Sequence, residues 1–176
     1  MPISQSVLRE KSGRRDSGVI KEANVQKNFS ATTKKAFLCH SHSDIALVEG
    51  LIVHFSDLGV DLYVDWKDAS MPPIPDAQTA DVIKTRIQQS DVFLFLATEN
   101  SCTSRWCPWE IGYADGVCQK IIIIPTSERN IEYGNEYLGL YPRLDGGTFR
   151  LNNKPGLFVW NRGIEYGRTI NSILET

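Results

Sequence analysis

Apolar and polar positions change period several times along this chain. Ala36 to Cys39 is a short apolar run between polar residues, which predicts a buried strand. Directly after it Val48, Leu51, Ile52, Phe55 and Leu58 recur at helical spacing until Gly59. Ser41 or Ser43 is placed to cap that helix, and Asp44 suits its positive N-terminal end. "VDLYVDW" (60–66) predicts the next strand, and the Pro-rich "KDASMPPIPDA" leads into a second helix with Val82, Ile83 and Ile87 on its apolar side.

"DVFLFLAT" (91–98) and "KIIIIPT" (120–126) are nearly continuous apolar runs, as central strands covered on both faces require. The segment around "WCPWE" between them predicts a third helix ending near Val117. Further on, "ERNIEYGNEYLGLYP" reads as a short irregular helix, "GLFVWN" as a fifth and edge strand, and "GIEYGRTINSILE" as a terminal helix. Strands alternating with helices define a doubly wound α/β fold. No internal repeat or low-complexity tract interrupts it.

The 176 residues suit one domain with a tail, given domains of roughly 100–200 residues. Charge is uneven: residues 1–35 hold eight Lys/Arg against three Asp/Glu, which leaves eleven against eighteen for the rest. The first 33 residues are basic and poor in large apolar groups, so they are expected to be a flexible or loosely packed leader, with the domain spanning 34–176. An overall charge of −2 gives no reason to expect nucleic acid as a partner. No apolar run reaches the roughly 18–20 residues of a membrane span, and no signal peptide is evident, so a cytoplasmic location without membrane association is expected. In that setting Cys39, Cys102, Cys107 and Cys118 are expected to be reduced. "CHSH" (39–42) invites a metal reading, but its spacing to Cys102 and Cys107 matches no zinc template and no metal is expected.

In open parallel sheets ligands bind beyond the carboxyl ends of the strands, where strand order reverses. That rule selects His40, Ser41 and His42 after the first strand, Asp65, Trp66 and Lys67 after the second, and Thr98 to Ser101 after the third. Glu110 joins them by a separate argument. Pro108 lacks an N–H and is tolerated only in a first helical turn, so the third helix starts just before it and Glu110 lies in its first turn or so. Trp106, four residues earlier, then neighbours Glu110. A glutamate at a helix start is commonly a mere surface charge favoured by the helix dipole. Cys107 reads either as a nucleophile of lowered pKa or as a small buried thiol, and no histidine is placed in sequence to serve as its base.

Three stretches, "AFLCHSHSD", "VDLYVDWKD" and, most specifically, "ATENSCTSRWCPWEIGYA", together resemble a Toll/interleukin-1 receptor (TIR) domain of the bacterial kind over about residues 34 to 172. The resemblance implies a flavodoxin-like three-layer fold with a five-stranded parallel sheet in order 2-1-3-4-5. It also implies cleavage of NAD between nicotinamide and ribose, with NAD a consumed substrate, no bound cofactor, and Glu110 as the essential glutamate. His40, Ser41, Asp65, Trp66, Thr98, Ser104, Trp106 and Cys107 are the positions it sets around NAD. Trp66 or Trp106 would stack on a ring, while His40, Ser41 and Thr98 would bond ribose or phosphate. Products in such families are ADP-ribose, its cyclic isomers or conjugates, several serving anti-phage defence. Self-association through TIR–TIR contacts and a separate effector protein sensing the product follow as expected partners, and secreted virulence factors share the same sequence features.

Two other readings stay open at this point. One is a TIR interaction module without turnover, in which Glu110 is structural. The loop "DWKDASMPPIPDA" lacks the Arg-Asp and Pro-Gly patterns usual in receptor and adaptor members. The other is a nucleoside deoxyribosyltransferase, a related fold that also uses a glutamate on ribose. The chain contains no GxGxxG or Walker loop, which weighs against dehydrogenases and P-loop enzymes.

Overall fold

Strand β2 (Lys35–Cys39) lies between β3 (Asp61–Tyr63) and β4 (Val92–Ala97), and all three run parallel. The structure is a computed structural model, and it describes residues 1–16, 35–56, 61–63, 77–118, 120–149, 153, 155–161 and 167–174. Strand β5 (Ile121–Glu128) continues the parallel sheet beside β4, and β7 (Arg143–Thr148) follows beside β5. The parallel part thus has the order β3-β2-β4-β5-β7, the flavodoxin-like arrangement.

The apolar runs sort their side chains by strand alternation. Ala36, Leu38, Leu94, Leu96, Ile122 and Ile124 enter one core with Val48, Leu51 and Phe55 of α2 (Ile45–Ser56). Phe37, Cys39, Phe93, Phe95, Ile121 and Ile123 enter a second core with Ile83 and Ile87 of α3 (Ala77–Gln88) and Cys107, Ile111 and Ala114 of α5 (Cys107–Val117). Each fully buried Leu, Ile or Phe contributes roughly 1.5–3 kcal/mol. Both faces of β4 are therefore covered, which explains its unbroken apolar sequence.

The fifth strand is not the expected one. "GLFVWN" falls in β8 (Pro155–Trp160), which pairs antiparallel with β7, and β9 (Arg168–Thr169) extends the sheet antiparallel again. Six residues separate β7 from β8, enough for a hairpin but too few for the crossover of a dozen or more that a parallel partner needs. The parallel fifth place went to β7, whose sequence "RLDGGT" carries little strand signal.

The stretch after β5 is also more regular than expected. Arg129 and Asn130 both have positive φ (48° and 67°), as a two-residue type I′ turn requires, and they join β5 to the antiparallel β6 (Ile131–Tyr133). Only Asn135–Leu138 is helical (α6). Of the expected terminal helix, Ile170–Leu174 (α7) is helical, Arg168–Thr169 is strand, and 163–166 and 175 lie outside the described residues.

The expectation of a loose leader is corrected over residues 1–16. Ile3–Ser4 (β1) pairs with Thr126 and Ser127 of β5, and Gln5–Asp16 (α1) packs on α2 with Leu8 fully buried. Gly50 permits the approach, because a Cβ there would collide with the Leu8 carbonyl. Gln5 Nε2 donates to Thr126 Oγ1 at 3.0 Å, and Arg9 pairs with Glu128 at 2.8 Å. One buried leucine and one strand pairing suffice to dock this segment, a signal too sparse for composition to reveal. Residues 17–33 of the expected leader lie outside the described residues.

Candidate active site

The carboxyl ends of β2 and β4 lead into two turns and the start of α5. After β2, Ser41 caps a short 3₁₀ turn (His42–Asp44) by accepting the Ser43 N–H, and α2 continues from it. After β4, Thr98 caps α4 (Glu99–Thr103) in a capping box: its Oγ1 accepts the Ser101 N–H at 3.0 Å, while its own N–H reaches Ser101 Oγ at 2.9 Å.

Asp44 joins the two turns. It is 4% exposed and accepts the Thr98 hydroxyl and the Asn100 amide, each at 2.6 Å. Ser41 and Thr98, expected to bond ribose or phosphate, are thus engaged as helix caps, and Thr98 also donates its hydroxyl proton to the protein. His40 is buried, its Nδ1 donating to the Leu38 carbonyl at 3.0 Å. Its ring stands edge-on to His42.

Helix α5 starts where Pro108 demands. Ser104 Oγ accepts the N–H groups of Trp106 and Cys107, both at 3.2 Å, and so satisfies donors a helix start leaves orphaned. Trp106 is the N-cap residue, and its carbonyl accepts the Glu110 N–H at 2.8 Å. The Trp106 ring lies edge-on to Trp109, which stacks on Tyr113, so a row of partly buried aromatics runs along α5.

Glu110 is in the first turn of α5 and only 5% exposed. That separates it from the common dipole-favoured glutamate, which stays in water. The dipole offers about 0.3–2 kcal/mol, less than a buried carboxylate loses in desolvation, so Glu110 relies on local partners. Its charge is felt by the buried Cys39 thiol, which the sequence reading passed over. Cys39 ends β2, Cys107 opens α5, and the Cys39 sulfur lies 3.9 Å from the Cys107 carbonyl oxygen. Burial raises the Cys39 pKa well above the ordinary thiol value, and Cys107 and the Glu110 charge raise it further. Cys107 is fully buried, as the bland reading of it expected.

Ser104, Trp106, Cys107 and Glu110 thus share the start of α5, with Cys39 beneath. Ser41, Thr98 and Asp44 form a separate knot on the α2 side. Asp65 and Trp66 lie outside the described residues. Asp44 was legible only as a dipole partner, because nothing local marks its bond to Thr98, 54 residues away. All four cysteines are free thiols, and no group of three metal-ligating side chains comes together among the described residues.

A parallel sheet of this order defines a flavodoxin-like domain, and the buried Glu110 carboxylate stands in the first turn of α5, the second helix after β4. The chain belongs to the TIR domain family, whose sequence profile matches residues 36–139. It is 34% identical over 141 residues to a Bacillus cereus (strain MSX-D12) protein named "Probable 3' cyclic ADP-D-ribose synthase ThsB'", a match covering 77% of this chain and 72% of that one. It is 30% identical over 95 residues to a Cytobacillus dafuensis protein provisionally named cyclic ADP-D-ribose synthase TIR2, covering 52% of this chain and 25% of that one.

Proposed function

We propose that this chain is an NAD-cleaving TIR enzyme that releases nicotinamide and closes the remaining ADP-ribose into a cyclic isomer. The observation that carries the reading is the burial of Glu110 at the carboxyl edge of the sheet. A glutamate serving only the helix dipole has no reason to leave water. The cyclic product is supported by likeness to the Bacillus cereus protein, which spans most of both chains.

The chemistry suits one carboxylate. As the bond between ribose and nicotinamide breaks, its electron pair returns to the ring nitrogen, so the leaving group needs no proton. Positive charge gathers at the anomeric carbon, where an ionised, water-excluded Glu110 stabilises it. A hydroxyl elsewhere in the same ADP-ribose then bonds to that carbon and loses its proton, giving cyclic ADP-ribose, nicotinamide and one proton. Trp106, partly buried at the start of α5, offers a ring for stacking. The product is then a signal read by a separate effector, and assembly of several copies is a natural means of control.

Chromatography of NAD incubated with the protein tests this reading beside Glu110→Gln. Nicotinamide release should fall by at least about 10²-fold in the variant while its fold is retained. The partner peak should be a cyclic isomer and not linear ADP-ribose. Turnover by a well-folded Glu110→Gln protein would remove Glu110 from its role, and no release from concentrated wild-type protein would favour an interaction module.

A further inference from the structure

Helix α5 carries Glu110 in its first turn on the carboxyl edge of the sheet and ends at Val117 on the opposite, amino edge. There Asp115 and Cys118 close one side of a cavity of about 330 Å³. Its buried lining is apolar: Ile121 and Ile122 open β5, and Val159 lies near the end of β8. Its more exposed lining is polar, with the half-buried Lys120 just before β5, Asn161 just after β8, and Arg168 in β9.

Neutral groups hold both cations in place. Lys120 Nζ donates to the Ile173 carbonyl at 2.9 Å. Arg168 Nη2 donates to the Ser172 carbonyl at 2.9 Å, and its Nε to Ser172 Oγ at 3.2 Å. Bonding the last turn of α7 in this way orients the two side chains without cancelling either charge. Each keeps further N–H donors beyond those bonds, and among the described residues neither forms an ion pair. Two oriented, uncompensated cations beside an apolar wall suit a ligand that is anionic at one end and flat and apolar at the other.

We infer that this cavity binds a nucleoside monophosphate, with the phosphate on Lys120 and Arg168 and the base against Ile121 and Val159. Its volume stands near the lower end of the roughly 300–1,000 Å³ of small-molecule sites, too roomy for a bare phosphate and too small for a dinucleotide. Asp115 adds an acceptor suited to a ribose hydroxyl, its Oδ1 already taking the Tyr141 hydroxyl proton at 2.9 Å. The site is separate from Glu110 and holds whether or not Glu110 acts on NAD.

NMR titration of isotope-labelled protein with AMP tests the assignment. The amides of Lys120, Ile121, Asn161 and Arg168 should shift saturably, and equally so in Glu110→Gln. Adenosine and inorganic phosphate, titrated separately, should each bind at least about tenfold more weakly than AMP, since each lacks one half of the contacts. Lys120→Gln combined with Arg168→Gln should weaken AMP by about tenfold or more. Those two side chains also hold α7, so Asn161→Trp supplies a second variant. Its bulky ring at an exposed cavity position should obstruct AMP while leaving both bonds to α7 in place. Equal affinity for phosphate and AMP would overturn the nucleotide assignment. Shifts confined to the first turn of α5, no saturation at millimolar AMP, or unweakened binding by both folded variants would overturn the site.

Discussion

The Asp44 carboxylate and the Thr98 hydroxyl meet at 2.6 Å, fastening the turn after β2 to the turn after β4. Asn100 adds a second bond of 2.6 Å to the same carboxylate. These turns flank the point where strand order reverses, so the knot fixes the carboxyl ends of β2 and β4 relative to one another. The Thr98 hydroxyl is thus engaged within the protein, bonding Asp44 and the Ser101 N–H.

Replacing Asp44 should therefore cost stability before it costs binding. Asp44→Ala removes two charge-assisted bonds and leaves Thr98 and Asn100 without their carboxylate. The loss should be about 2–4 kcal/mol, read as a lower denaturant midpoint with unchanged slope. Asp44→Asn keeps an acceptor for Thr98 and should lose less.

Two glycines should respond in opposite directions. Gly50→Ala drives a methyl group into the Leu8 carbonyl and must displace α1 from α2, at a cost of about 1–3 kcal/mol. Limited proteolysis should then cleave within residues 1–16, which wild-type protein protects. Gly112, in the exposed middle of α5, has open space around it, so Gly112→Ala should add about 0.5–1 kcal/mol. A thermal melt of each variant checks both signs.

Tyr141 gives the fold an alkaline limit. Burial first, then its hydrogen bond to Asp115, raise its pKa from 10.0 to about 12. The folded state thus holds the phenolic proton more tightly than the unfolded chain does. The resulting stability is complete below about pH 10 and is lost as pH rises toward about 12. Tyr141→Phe should abolish that part of the decline, measured as the difference between the two proteins' unfolding midpoints across this range.

The central strands, the helix over Cys107–Val117 and the first-turn place of Glu110 were legible because each follows from a local rule: continuous apolar runs, proline geometry, helix polarity. What escaped depends on separations that no local pattern carries. The docking of α1 turns on Leu8 meeting Gly50, and Asp44 finds Thr98 and Asn100 only after the sheet has formed. Cys39 read as the end of an apolar strand, which it is, and its nearness to Glu110 emerges only from the packing of α5 on β2. β8 was found but given the wrong direction. The length of its link to β7 decides that direction, and β7 itself has too weak a strand signal to be seen first.

Gln5 reaches Thr126 across 121 positions of chain. During synthesis the opening segment therefore leaves the ribosome long before the strand that receives it exists. The edge of β1 must wait, unpaired, while the helices and strands between them are made, although α2, which receives Leu8, is already present. Pairing of β1 with β5 is then a late event in folding, since contacts of such long sequence separation form slowly. A nascent chain stalled before residue 121 has α2 to receive Leu8 but no β5 to pair with Ile3 and Ser4, and that strand edge stays open.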